Sequence, residues 1–430
     1  MVCSSREIRE ETPLDHIWEL VKITFQAFTF MVTDLRYIVV MALVFALVYR
    51  QYAKIRQYEQ GFFGLKRMDP LMETVTSLVY GIGGGIVATI LFILLGVSIS
   101  DAGVTYLWLA AIFLMLINQR FLCFAYAGGL IGLVALLTGY PEIHLATLMA
   151  LVAILHLVEA LLIFVNGYHN ATPMFFKHCS GKVVGGFALR KFWPMPAVAL
   201  VGVVMVTSGA DFQSVPMPEW WPIFQSGLDV PESHMLIHVL FPLVVALGYG
   251  DFVQTELPKT KARRSAGLLF LYSLVLLGLA VVANQHPVLS VFPVIFAPLG
   301  HELVIYLGQR REKVKTPVFH GEDGVMVLAV YPNSPAEQMG LEAGDVIRSI
   351  NGIEIADLAA LANQMSPWVI DPTLVVESQF RQPQRREIEY KGKIPPLGIV
   401  PAPLPGQGAY VRFKDGFLKS LWNKWKARRK

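Results

Sequence analysis

The chain has 430 residues, of which 54% are hydrophobic and only 16% charged, with a mean hydropathy of +0.51. Soluble domains carry roughly 25% charged residues, so too few charges are present to screen this much apolar surface from water. A soluble globule, a disordered chain and a collagen-like fibre are excluded. The formal net charge of +4 comes from the end of the chain, where Arg412, Lys414, Lys419, Lys424, Lys426, Arg428, Arg429 and Lys430 oppose one acid, Asp415. The rest is slightly acidic, and no nucleic-acid partner is expected.

Residues 1–34 carry charges of both signs and lack a basic stretch ahead of a short apolar core, so no cleavable signal peptide is expected. Trp18, Val21, Phe25, Phe28 and Val32 recur at helical steps, predicting an amphipathic helix at the membrane interface. About twenty apolar residues cross a bilayer. Candidate segments lie near 35–51, 74–98, 103–118, 121–139, 145–166, 194–208, 235–250, 265–284 and 288–308. They predict a polytopic α-helical membrane domain of about 8–9 spans over 35–309. The segment at 103–118 is short, and Pro194 and Pro196 interrupt the one at 194–208. Glycines at 81, 83, 84 and 85 and at 128, 129 and 132 read as seams where helix backbones approach closely.

Loop charge sets the expected orientation. Lys and Arg gather at 50–67, 177–191, 259–264 and 310–315, whereas the stretch between 208 and 235 holds Asp211, Glu219, Asp229 and Glu232. The basic loops, and everything after 309, are therefore expected on the cytoplasmic face of a plasma membrane.

Ionisable groups within apolar segments are costly, and they are functional candidates by default. His156 and Glu159 share a helix face, as do His234 and His238; bracing between helices is the expected role of each pair. His301-Glu302 resembles the start of the His-Glu-x-x-His motif of metalloproteases, but Ile305 stands where the second ligand belongs. Cys3, Cys123 and Cys179 are odd in number and lack C-x-x-C spacing, so no disulfide framework or zinc ribbon is expected. No nucleophile elbow or phosphate-binding loop appears. The reading is of a non-enzyme with no catalytic residue, metal or cofactor. A metalloprotease with a degenerate His-Glu site is the alternative.

After Thr316 the pattern changes to short strands and turns, predicting a small α+β domain over 316–402. Strands are expected at 325–330, 346–350, 373–379 and 386–390. A helix is expected from about Asp357 to Met365, and Asn351-Gly352 marks a tight hairpin. The motifs Ser334-Pro335-Ala336, Gly340-Leu341, Gly344-Asp345 and Asn351-Gly352 closely resemble those of a bacterial PDZ domain. That resemblance implies a circularly permuted domain binding an extended peptide by strand addition beside a helix, with a glycine-containing loop holding a terminal carboxylate. The loop falls at Leu397, Gly398, Ile399 and Val400, and the facing helix presents Leu358, Leu361, Ala362 and Met365.

Residues 403–430 read as a Pro/Gly linker and a basic amphipathic tail helix whose Phe413, Phe417, Leu421, Trp422 and Trp425 lie on the bilayer surface. Membrane spans followed by a cytoplasmic PDZ domain resemble the MinJ-type division-site topology proteins of Gram-positive bacteria. The resemblance implies a membrane scaffold that recruits a division or polarity protein or peptide, with homo-oligomers possible.

Overall fold

The structure is a computed structural model that describes residues 13–64, 68–206, 215, 217–224, 234–321, 324–365, 369–382, 384–393 and 396–404. The tail residues Phe413, Phe417, Leu421, Trp422 and Trp425 lie outside the described residues.

The membrane half opens with α1 (Pro13–Thr33), α2 (Leu35–Phe63), α3 (Pro70–Leu95), α4 (Val104–Ile117), α5 (Phe124–Thr138) and α6 (Leu145–Asn166). It continues through β1 (Thr172–Lys177), β2 (Val183–Val206) and β3 (His234–Val253) to α7 (Pro258–Gln285) and α8 (Val291–Val314). Among the described residues five helical segments, α2, α3, α6, α7 and the one ending with α8, are long and apolar enough to cross a membrane. Local chemistry sets their ends. Asp69 accepts the Leu71 amide ahead of Pro70 at the first turn of α3, and Gly96 closes that helix at φ +70°.

Two corrections to the expected spans follow. Helices α4 and α5 have 14 and 15 residues, about 21–23 Å at 1.5 Å per residue, short of a hydrocarbon core of about 30 Å. The His144 amide donates to the Asp101 carbonyl at 2.9 Å, and the Tyr106 and Tyr140 hydroxyls lie 3.3 Å apart. The start of α4 and the end of α5 therefore meet, and the turn at Asn118–Cys123 points back into the bundle as the tip of a re-entrant hairpin.

The second correction concerns 194–208 and 235–250: of these, 194–206 and 235–250 are described, and they are strands and not helices. Segment β2 is rich in valine and pairs with β3 in antiparallel register from Phe187↔Val253 to Val206↔His234. Prolines that would break a helix are suited to a strand edge facing no partner strand. Beyond the β1 pairing, the outer edge of β2 lies against α3. Several donors there are removed or satisfied: Phe192 N–H goes to the Tyr52 hydroxyl at 3.2 Å, and Pro194 and Pro196 have none to offer. Val198 N–H reaches Thr89 Oγ1 at 2.8 Å, and Gly202 N–H reaches Ser100 Oγ at 3.0 Å. This is what an apolar medium requires of backbone donors. Gly81 and Gly85 make the approach possible, since a Cβ on either would overlap the carbonyl oxygen of Pro194 or Pro196.

The soluble domain comprises β4 (Val325–Val330), α9 (Pro335–Gln338), β5 (Asp345–Ile350), β6 (Ile353–Glu354), α10 (Leu358–Gln364), β7 (Thr373–Ser378), β8 (Arg385–Glu389) and β9 (Ile399–Pro401). Its sheet runs β8-β7-β5-β4-β9, with β6 on β5. Val325, Val327, Ala336, Leu341, Ile347, Leu361, Leu374 and Leu397 belong to its core. The opposite face, with Met326, Leu328, Val400 and Ala402, joins the same apolar cluster as Phe187 and Val253 of the membrane half. The Gly185 amide donates to the Phe319 carbonyl at 2.7 Å, and the Val318 amide to the Gln254 carbonyl at 2.9 Å. The domain is docked.

Beneath that joint, buried Glu312 accepts from the Gln254 amide at 2.9 Å and from Thr255 Oγ1 at 3.1 Å, and lies 3.9 Å from Lys261 and 3.6 Å from Arg264. A second buried carboxylate, Glu73, pairs with Lys191 and accepts from Asn170. Buried charges persist only when so partnered.

Candidate peptide-binding site

The PDZ motif residues take the local roles their chemistry dictates. Ser334 caps α9, its Oγ accepting from the Glu337 amide at 3.3 Å and donating to the Tyr331 carbonyl at 2.7 Å; Pro335 occupies the first turn and Ala336 is fully buried. Gly340 and Gly344 adopt φ of +71° and +92°, a left-handed region open to glycine, and Leu341 fills the core. Asp345 is buried against Arg386 and also accepts the Glu342 amide at 3.0 Å. Asn351 and Gly352, at φ +49° and +81°, form the hairpin turn between β5 and β6.

Strand β9 lies at the sheet edge, bonded to β4 alone. The Tyr331 amide donates to the Gly398 carbonyl at 2.9 Å and the Ala402 amide to the Met326 carbonyl at 2.8 Å, around the pairs Val330↔Ile399 and Val327↔Pro401. By antiparallel geometry, the backbone groups of Ile399 and Pro401 therefore point away from β4, toward the open edge. The amides of Leu397 and Gly398 donate to no acceptor among the described residues. Gly398 has φ +79°, and a Cβ there would overlap the Ser334 side chain. The edge thus offers two free loop amides, the Ile399 N–H and C=O, and the Pro401 C=O. It has no donor at Pro401.

The expected groove residues divide by face. Leu397 is buried in the domain core, with Ile399 half-buried beside it. Val400 turns to the opposite face and packs toward the membrane half, a correction that follows from side-chain alternation along a strand. On α10, Leu361 is core, Leu358 and Ala362 are exposed, and Met365 is half-buried. Beyond Leu358 a cavity of about 220 Å³ continues between Gly324, Met326, Pro401 and Leu404, and reaches Phe175 of β1. Of the expected groove residues, Leu358 lines this cavity, Ala362 is exposed, and Ile399 and Met365 are half-buried.

The intramembrane candidates form a separate group. His301 and His156 lie mid-helix on α8 and α6, and the re-entrant tip brings Cys123 to both; Cys123 Sγ is 3.1 Å from His156 Nε2 and 3.6 Å from His301 Nε2. Glu302 pairs with Arg120 and accepts from the Tyr126 hydroxyl at 2.8 Å, so its carboxylate is committed. Glu159 makes no hydrogen bond among the described residues. His238 lies apart, edge-on to Trp221 at 5.0 Å. Cys123, Arg120 and Tyr126 are not legible as partners in the sequence, where they stand over 170 residues from His301 and Glu302.

A model of the PDZ domain family matches residues 326–365. The cell division topological determinant MinJ of Bacillus subtilis (strain 168) is 25% identical over 252 residues, covering 57% of this chain. The chain spans 59% of the length of that curated relative. The chain is a MinJ-like protein that carries a PDZ domain.

Proposed function

We propose that the chain is a non-enzymatic membrane adaptor whose helices anchor it and whose PDZ groove captures the C-terminus of a cytoplasmic protein that takes part in placing the division site. The observation that carries this reading is the open edge of β9 with the unengaged amides of Leu397 and Gly398, together with a cavity that Pro401 of β9 shares with Leu358 of α10. Two free amides next to a glycine at positive φ suit a carboxylate, and main-chain bonds along the edge supply affinity. Pro401 limits how far the added strand can pair, so the grip falls on the last few residues of a chain end and not on an internal strand.

A cytoplasmic position for the groove is supported by charge. Arg50, Lys54, Lys177, Lys182, Lys259, Arg263, Arg310 and Lys313 lie on segments at the end of the bundle where the PDZ domain docks. Kinship to a division topological determinant supports the cellular role. The metalloprotease alternative has no such support: Ile305 replaces a ligand, and Glu302 is held by Arg120 and Tyr126.

The test is photo-cross-linking in growing cells from a probe at position 362. A cytoplasmic protein is expected to be captured through its C-terminal residues, with loss of at least tenfold when Leu358→Glu lines the same groove. Equal capture by the Leu358→Glu chain would refute the groove.

A further inference from the structure

The re-entrant hairpin delivers a sulfur to two imidazoles inside the membrane half. Sγ of Cys123 and one ring nitrogen each of His156 and His301 lie within 4.8 Å of one another. Ligands around a tetrahedral Zn²⁺, with Zn–S about 2.3 Å and Zn–N about 2.0–2.1 Å, place sulfur and nitrogen about 3.6 Å apart. The observed separations are 3.1 and 3.6 Å.

The surroundings fit a cation. His156 Nδ1–H donates to the Val152 carbonyl at 2.7 Å, which leaves the Nε2 lone pair directed at the sulfur; a backbone carbonyl fixing the far nitrogen is the usual second partner of a ligating histidine. The His301 ring is held edge-on by Tyr126, Tyr272 and His156 at 5.4, 5.8 and 5.2 Å, while its buried Nδ1 finds no partner among the described residues. Hydrogen bonding alone serves the trio poorly, because one thiol proton can go to only one ring. Glu159 lies three residues beyond His156 on the same face of α6. A thiolate ligand offsets part of the charge of a dication, as a low-dielectric site requires.

We propose that Cys123, His156 and His301 bind one thiophilic transition-metal ion of the Zn²⁺ class, fastening the tip of the α4–α5 hairpin to α6 and α8. Binding exchanges the thiol proton for the metal, since the ligating form is the thiolate. The hard cations Mg²⁺ and Ca²⁺ are excluded by the donor set. The role we assign is structural, tying three separate elements together at one point.

The test uses the full chain in lipid nanodiscs, stripped with chelator and titrated with Co²⁺. The expected result is a thiolate-to-cobalt charge-transfer band at one equivalent, displaced by Zn²⁺. The band should vanish in Cys123→Ser, persist in Cys179→Ser, and need at least tenfold more metal in His156→Gln and in His301→Gln. Zn²⁺ should also protect Cys123 of the unaltered chain from alkylation by a membrane-permeant maleimide, a readout that does not depend on any variant folding. Absence of the band together with unprotected Cys123, or a band that survives Cys123→Ser, would overturn the site.

Discussion

At the scale of single residues, Gly398 illustrates how one position serves fold and function together. Its φ of +79° and its contact with Ser334 mean that any side chain must strain the backbone and displace the cap of α9. Gly398→Ala is expected to cost about 2 kcal/mol or more, read as lost hydrogen-exchange protection in β4 and β5. Weakened peptide binding in that variant would not isolate the groove. Ala362→Trp does, since Ala362 is exposed on α10 and outside the core: stability should be unchanged while peptide binding is lost. The residue signals were legible where backbone demands select a residue type, as at Asn351-Gly352 and at Ser334-Pro335. They were not legible at Val400, whose face depends on where β9 begins, nor at Cys123, which meets His156 and His301 only through packing of α5, α6 and α8.

At the scale of elements, the β2–β3 hairpin shows why hydropathy alone misreads this chain. Its segments are as apolar as the helices around them, and apolarity cannot separate a buried strand from a buried helix. The prolines carried the distinguishing information. Pro194 and Pro196 alternate with Met195 and Ala197, whose positions bond to β3, so each proline falls where a donor would face α3. Pro196→Ala is expected to destabilise the membrane half by about 1–3 kcal/mol through one buried, unsatisfied amide, and Gly85→Leu more severely by forcing β2 off α3. Thermal unfolding of the purified chain in detergent, with Gly83→Leu as the control because its Cβ would meet open space, distinguishes these effects from general intolerance of the helix. The shortness of α4 was visible in the sequence, but its reversal into a hairpin was not: the tie is made by Asp101, Tyr106, Tyr140 and His144, of which Tyr106 alone belongs to an apolar run.

At the scale of the whole molecule, the two halves share one apolar cluster at Phe187, Phe319, Leu328 and Val400, backed by the charge network centred on Glu312. The proposed groove is therefore held at a fixed place beside the basic end of the bundle. One face of the β4–β9 edge packs on the membrane half, and its outer backbone groups stay open to a ligand. A rigid presentation limits the entropy lost on capture, and a short grip on a chain end is compatible with rapid exchange of partners. The proposed anchor and reader are one body.

That central claim is tested most directly by selecting peptides from a library with free C-termini against the full chain in nanodiscs, then measuring each selected peptide again with its terminus amidated. The account predicts enriched peptides that bind the unaltered chain, lose at least tenfold in affinity on amidation, and fail to bind the Ala362→Trp chain. Peptides that bind equally well when amidated, or that bind the Ala362→Trp chain undiminished, would contradict it.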